Sequence, residues 1–295
     1  MTGILPIFKP AGITSNRVTM TVKRRLSEKT GHCGTLDPEA TGVILILIGK
    51  ATKLADFLLT DKAYRAGIKF GIKTDTGDVW GSTLNTNDTI TDEKVFKKAL
   101  NNFKGIITQI PPMYSAIKKD GVKLYELARK GIEIERESRE IEIYNTHFIS
   151  KIAENEFEFT VNCSKGTYIR TLCEDIAKSC GTIAAMSTLC RTNSCGVDIS
   201  KCIELEKLID MNDDEINSIL ISPEEYFSFY DKIYIPENAQ IYLLNGGIID
   251  TDRVTFNAEY KPQNAQQNVL VYNNTNEFLG IAQINNNTVK MEWLC

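Results

Sequence analysis

The residues best equipped for chemistry lie in one short stretch, Gly31-His32-Cys33-Gly34-Thr35-Leu36-Asp37-Pro38-Glu39-Ala40-Thr41-Gly42-Val43. A carboxylate, Asp37, and an imidazole, His32, share a segment dense in Gly, Pro and Asp. That segment runs straight into the most apolar run of the chain, residues 43–48. A tight loop pinned to a buried strand is a usual way to hold a reactive side chain still. Two readings of Asp37 follow from the residues alone. Asp-Pro-Glu matches a helix start, with Asp as N-cap, Pro at the first helical position and an acid in the first turn. The same carboxylate could instead be presented to a ligand as a nucleophile, with His32 nearby. Spacing leaves both open.

The flanking elements must position this loop. Residues 4–8 read as a strand leading into Lys9-Pro10-Ala11-Gly12-Ile13-Thr14-Ser15, with Ser15 as N-cap of a helix whose apolar stripe is Val18, Val22 and Leu26. Residues 43–48 form a buried strand and 51–59 a short helix. The alternation from Ile68 marks a half-buried strand preceded by Tyr64-Arg65. Thr91-Asp92-Glu93 caps a helix through Val95, Leu100 and Phe103. Pro111-Pro112 opens an extended segment, followed by a helix at about 122–130 that Gly131 stops. Residues 141–152 and 157–163 pair as strands. The next helix buries Ile169, Leu172, Cys173 and Ile176, with Arg170 one step off that stripe. From about Pro236 the texture changes to short β-like pieces at 240–244, 269–272, 278–284 and 289–293, separated by Asn-rich turns.

Composition narrows the function classes. The 295 residues suffice for a large domain plus a small one. No stretch is long and apolar enough to span a bilayer, and the N-terminus lacks signal-peptide features. The eight cysteines form no Cys-x-x-Cys pair and only two histidines are present, so reduced thiols in the cytoplasm fit better than disulfides or a metal centre. The formal net charge is −4, but residues 1–73 carry 12 Lys/Arg against 5 Asp/Glu. Residues 201–231 carry 9 acids against two lysines. A basic face on an acidic protein can hold a polyanion. Within 117–130, Lys118, Lys119, Lys123, Arg129 and Lys130 stand near Tyr114 and Tyr125, which suits RNA backbone contact and base stacking. An exposed charged helix is the alternative.

Three motifs carry a resemblance. The central stretch, followed by Gly49-Lys50-Ala51-Thr52-Lys53, closely resembles motif II of the TruB family, the bacterial tRNA pseudouridine-55 synthases. Lys-Pro-x-Gly-x-Thr-Ser at 9–15 resembles its first motif, and Cys163-Ser164-Lys165-Gly166-Thr167-Tyr168-Ile169-Arg170-Thr171-Leu172 its third. The resemblance covers about residues 4–200, and the tail more loosely.

It implies an α+β fold: a mixed, largely antiparallel central sheet flanked by helices, with a small PUA-like C-terminal β domain. The implied division is 1–231 and 232–295, with 113–140 as an RNA-gripping insertion. It implies Asp37 as nucleophile, Arg170 as its charge partner and Tyr64 stacked on the target base. Tyr168 and Leu189 would wall the uridine pocket, His32 would fill the gap left by the flipped nucleotide, and Lys9 is expected among the substrate-binding residues. The substrate would be the T-arm of tRNA, with no cofactor, metal or obligate protein partner, and the enzyme a monomer. Two departures are visible: Cys190 replaces the first Arg of a Leu-Arg-Arg-like strand, and Ala185 stands where His is common.

The chemistry suits these residues. Moving a uracil from N1 to C5 attachment needs a carboxylate close to the sugar or base. Attack at C1′, abstraction of the C2′ proton and addition to the base all remain open. Eversion of the nucleotide costs a few kcal/mol in lost stacking. Competing readings are a synthase acting on another RNA, a guide-RNA-dependent relative and a catalytically silent RNA binder.

Overall fold

The computed structural model describes residues 1–256 and 266–295. Strand β1 (Gly3–Lys9) leads through a turn into helix α1 (Ser15–Leu26), then β2 (Thr30–Cys33) and β3 (Thr41–Ile48). β1 and β3 pair antiparallel along their length, from Gly3↔Ile48 to Lys9↔Gly42. Both are apolar on both faces because each face of the sheet is covered, so almost every residue of β3 is buried. α1 covers one face with Val18 and Val22 against Leu5, Ile7, Ile44 and Ile46. Its cap is Thr14, whose hydroxyl accepts from Arg17 N at 3.1 Å. The expected cap, Ser15, is one residue inside the helix and serves another purpose, described below.

The main sheet runs in the order Ile203–Glu204, β1, β3, Ala184–Ser194, β4 (Lys62–Phe70), Glu156–Cys163, Arg139–Ala153, Gly105–Gln109, with β2 beside β3. Most contacts are antiparallel. Two are parallel: β1 with Ile203–Glu204, and β3 with Ala184–Ser194. The second joins the sheet's two halves through only Thr41↔Cys190 and Gly42↔Arg191. A Cβ at Gly42 would lie 2.2 Å from the Arg191 carbonyl oxygen, and its φ is +103°, so this crossing admits only glycine. The architecture is the mixed, largely antiparallel sheet that the sequence led us to expect.

Helix α2 (Glu93–Asn102), capped by Asp92, and the helix Ile169–Ser179 cover the second half of the sheet. α2 buries Phe96, Ala99 and Leu100, whereas Val95 faces outward. Phe96 stacks on Phe157 at 5.1 Å between centroids. The short helix expected at 51–59 is a 3-10 turn, Gly49–Leu54. The helix expected at 122–130 is shorter as well. A two-residue ladder, Lys118–Lys119 with Val122–Lys123, takes the first part and leaves one turn of helix, Leu124–Ala128.

A second sheet of six strands runs Ile248–Asp250, Thr288–Leu294, Phe278–Asn285, Gln267–Asn273, Asp231–Ile235, Thr255–Phe256. The expected strand at 240–244 is instead part of a helix, Glu237–Leu244. Pro236 before it and Asn245-Gly246 after it are helix punctuation, which outweighs the strand propensity of Ile241 and Tyr242. Leu270, Ile281 and Trp293 of this sheet share an apolar cluster with Leu45, Leu47 and Leu54. Trp293 Nε1 donates to the Lys50 carbonyl at 2.9 Å, and Lys50 Nζ donates to the Cys295 carbonyl at 2.7 Å. Among the described residues no helix is long and apolar enough to cross a membrane. All eight cysteines are free thiols.

Candidate active site

The loop between β2 and β3 is fixed by its backbone. Ala40 N donates to Asp37 O at 3.1 Å, so Asp-Pro-Glu-Ala is a turn and no helix begins there. The N-cap reading of Asp37 therefore falls. Ser15, 2% exposed, donates from Oγ to Leu36 O at 2.9 Å and accepts from Leu36 N at 2.8 Å. On the other side, Lys9 Nζ donates to the carbonyls of Pro10, Ile13 and Pro38 at 2.7–2.8 Å. Asp37 is thus braced from both neighbours.

Lys9, expected among the substrate-binding residues, is fully buried with all three of its N–H bonds taken by carbonyls, so the structure places it as a brace beneath the loop. Burial pulls its ammonium down to about 8, against the raising effect of Glu39 and Asp37. Lys9→Met leaves three buried carbonyls unpaired. We expect a loss of about 1–3 kcal/mol in stability by thermal melting, with KM for RNA little changed.

Arg170 comes from the first turn of the helix Ile169–Ser179, on the side turned back to the sheet. Its Nε lies 3.0 Å from Asp37 Oδ2 and its Nη2 3.2 Å from Asp37 Oδ1, a two-point pairing. Nη1 donates to Thr76 O at 2.9 Å and Nη2 to Tyr114 O at 2.8 Å. Asp78 Oδ2 stands 3.9 Å from Nε. The Arg170 side chain is 7% exposed and that of Asp37 39%, so the carboxylate has an inner edge on the guanidinium and an outer edge open to a ligand. Desolvation raises the Asp37 carboxyl above its usual value; Asp78 adds to the rise, while Arg170 and Lys9 oppose it.

These two residues floor a small cleft of about 90 Å³ with Thr35, Leu36, Tyr64, Thr167, Tyr168, Ile169 and Leu189. Tyr64 and Leu189 come from adjacent strands, β4 and Ala184–Ser194. Burial pushes the Tyr64 hydroxyl up to about 12, so it is a neutral phenol near pH 7. Tyr168 precedes the Arg170 helix and is held by buried Gln109, which accepts from Tyr168 N at 3.0 Å and donates to Tyr168 O at 3.3 Å.

The sequence-derived set Asp37, Tyr64, Arg170, Tyr168 and Leu189 is therefore brought together. His32 stands apart on β2, its Nδ1 2.9 Å from Thr19 Oγ1 and its Nε2 3.4 Å from Thr35 Oγ1. Desolvation pulls its pKa below the usual imidazole value, so it is neutral at pH 7. Lys118, Lys119, Lys123, Arg129 and Lys130 lie outside the cleft. Lys118 and Lys119 line a recess with Arg136 and Arg139, while Lys123 and Arg129 flank the Tyr125 ring at 5.5 and 5.3 Å. A larger cavity of about 870 Å³ opens between the Arg170 helix and the segment 110–138.

Four residues of this constellation escaped the sequence: Ser15 as a loop brace, Asp78, Gln109 and the fully buried Arg191. Only Arg191 had a usable signal, since it shares strand parity with Leu189. No group of three or more His, Cys, Asp or Glu among the described residues is arranged to hold a metal.

A conserved-domain comparison matches residues 22–169 to the N-terminal domain of TruB family pseudouridylate synthases, and residues 170–227 to the tRNA pseudouridylate synthase B C-terminal domain. The tRNA pseudouridine synthase B of Clostridium acetobutylicum is 43% identical over 293 residues, 99% of this chain and 98% of that one. Its counterpart in Staphylococcus saprophyticus is 38% identical, covering 95% of this chain and 93% of the relative. Among solved structures, a Cbf5-Nop10-Gar1 complex aligns with a TM-score of 0.74 at 24% identity, over 99% of this chain and 84% of that chain. An H/ACA RNP bound to a substrate RNA containing 2′-deoxyuridine aligns at 0.72 and 21% identity, over 99% and 84%. The fold is that of the pseudouridine synthases, and the separate C-terminal sheet fits the small PUA-like domain. The chain belongs to the TruB family of pseudouridylate synthases and is an enzyme, an isomerase.

Proposed function

We propose that this enzyme isomerises uridine 55 in the TΨC loop of tRNA to pseudouridine, with Asp37 as the nucleophilic carboxylate acting on an everted nucleotide. The observation that carries the reading is the two-point Asp37–Arg170 pair on the floor of a cleft walled by Tyr64, Tyr168 and Leu189. Arg170 holds the carboxylate by its inner edge and leaves the outer edge for the ribose or base. Tyr64 would stack on the uracil, recovering on the order of 1–3 kcal/mol of the lost stacking. Tyr168 and Leu189 would close the sides, and His32, neutral and tethered to Thr19, would occupy the space the nucleotide vacates. The reaction needs no cofactor from these groups. The tRNA-specific names of relatives that align over nearly the whole chain support the substrate class.

The rest of the molecule is assigned with the same reading. Residues 1–231 form the catalytic domain and 232–295 the PUA-like one, in keeping with the change of sheet at Asp231. The segment 113–140 grips the T-arm through Lys118, Lys119, Lys123, Arg129 and Lys130. The enzyme works as a monomer in the cytoplasm.

Tritium release from tRNA labelled at uridine C5 tests the activity, with a transcript carrying cytidine at position 55 as control. Release from the first and not the second is expected; binding without release leaves only an RNA-binding protein. The gripping segment makes its own prediction. Lys118→Gln, Lys119→Gln and Lys123→Gln together should flatten the slope of log affinity against log salt by about 0.7–0.9 per lost phosphate contact. The rate on saturating tRNA should stay unchanged.

A further inference from the structure

Arg191 is a buried cation that the reaction as described leaves unused. It is 0% exposed, on the strand Ala184–Ser194. In the antiparallel ladder with β4 it stands directly opposite Tyr64, and in the parallel contact with β3 opposite Gly42. Directly opposed residues project from the same face of a sheet as near neighbours. Its Nε donates to Val43 O at 2.7 Å and its Nη2 to Gly34 O at 2.8 Å. Those carbonyls sit at the two ends of the loop that carries Asp37. The third nitrogen, Nη1, is buried with no hydrogen-bond partner among the described residues.

A buried guanidinium with one donor unmatched is costly, and folds keep such groups where something uses them. The neighbouring polar group is the Tyr64 hydroxyl, whose ionised form the Arg191 charge favours against the desolvation that raises it. A planar fork of this kind reaches several acceptors at once in a fixed geometry, which a lysine cannot do. The missing Cβ at Gly42 is what lets the Arg191 backbone approach β3 closely enough for that reach.

We propose that Arg191 is a positioning residue for the isomerisation: its unpaired Nη1 takes the Tyr64 hydroxyl on the opposed strand as acceptor when the uridine enters, while its other nitrogens tie both ends of the Asp37 loop. The base platform and the carboxylate then keep one spacing as the uridine enters. The proposal rests on the functional reading above, in which Tyr64 meets the target base.

A double-mutant cycle tests it, using single-turnover rates of pseudouridine formation on tRNA with Arg191→Lys, Tyr64→Phe and the double variant. Rates are normalised to the fraction of protein that binds tRNA. Arg191→Lys keeps a buried cation but loses the fork. It should slow the wild-type reaction by about 10–100-fold, with tRNA affinity within about threefold. In the Tyr64→Phe background the same change should slow the reaction at least about threefold less than it does in the wild type, because the hydroxyl contact is already gone and only the loop ties remain to be lost. Equal slowing in both backgrounds, or none in either, overturns the proposal. Arg191→Gln carries the same cycle if Arg191→Lys is insoluble, and loss of the folded state in both variants assigns Arg191 to the fold alone and likewise overturns it. A wild type that forms no pseudouridine in tRNA fails the functional reading itself and takes this proposal with it. An active wild type with an additive cycle fails this proposal only.

Discussion

Asp37→Asn should abolish pseudouridine formation, by at least about 10⁴-fold in single-turnover rate, without lowering the melting temperature. The first half follows from removing the proposed nucleophile while Arg170 and the cleft walls stay in place. The second half follows from the direction of the Asp37 shift. Desolvation and Asp78 raise its folded pKa despite Arg170. A carboxyl raised in the folded state favours the fold while protonated, and that contribution is lost as pH rises from the unfolded toward the folded pKa. At neutral pH the ionised Asp37 therefore costs stability, and a neutral isostere relieves it, while Arg170 keeps Asp78 and the carbonyls of Thr76 and Tyr114 as partners. Thermal melts of wild type and Asp37→Asn at pH 7 check this; a variant that melts several degrees lower, or keeps its activity, contradicts it. The same shift sets the pH profile. With Asp37 acting as a carboxylate, as proposed above, kcat/KM should fall on acidification with a midpoint above the usual carboxylate range.

Arg170 should have the opposite stability signature. Arg170→Ala removes the guanidinium between Asp37 and Asp78 and leaves the carbonyls of Thr76 and Tyr114 without their donor. Breaking a buried pair from one side costs about 3–5 kcal/mol, or roughly 6–20 °C in melting temperature for a chain of this size. Arg170→Lys is the more informative change. A point charge cannot span both Asp37 oxygens and two carbonyls, so the rate should drop by about 10²–10³-fold, and the acid limb should move to higher pH as Asp37 loses its two-point partner. Circular dichroism melts and rate profiles between acid and neutral pH read both effects. A variant with wild-type stability and profile would mean that the pair plays no part.

Much of this site is legible in the sequence, though by different routes. The strands around Asp37 and the helix after Thr167 follow from apolar pattern and turn residues, because a sheet covered on both faces leaves continuous apolar runs such as 43–48. The meeting of Asp37 with Arg170, from segments 133 positions apart, follows from the motif resemblance and from no periodicity. Local pattern misassigns the Asp-Pro-Glu turn as a helix start and Ser15 as a cap. Both residues carry the right local chemistry, but tertiary partners claim it: the Ser15 hydroxyl is spent on Leu36. Lys9 misleads for the same reason, since a lysine beside a catalytic loop reads as a ligand contact until its three carbonyls are seen. Asp78 and Gln109 act through loop and ladder geometry that composition does not encode.

The two-residue parallel seam, Thr41–Gly42 against Cys190–Arg191, has a kinetic consequence. It joins positions roughly 150 residues apart through few contacts, so we expect it to form late in folding, after the pairings within each half-sheet. Asp37 hangs from one lip of that seam while Tyr64 and Leu189 belong to the other. During refolding, catalytic competence should accordingly lag behind the recovery of helix and sheet signal, and the turnover assay becomes a clock for the final docking of the two half-sheets.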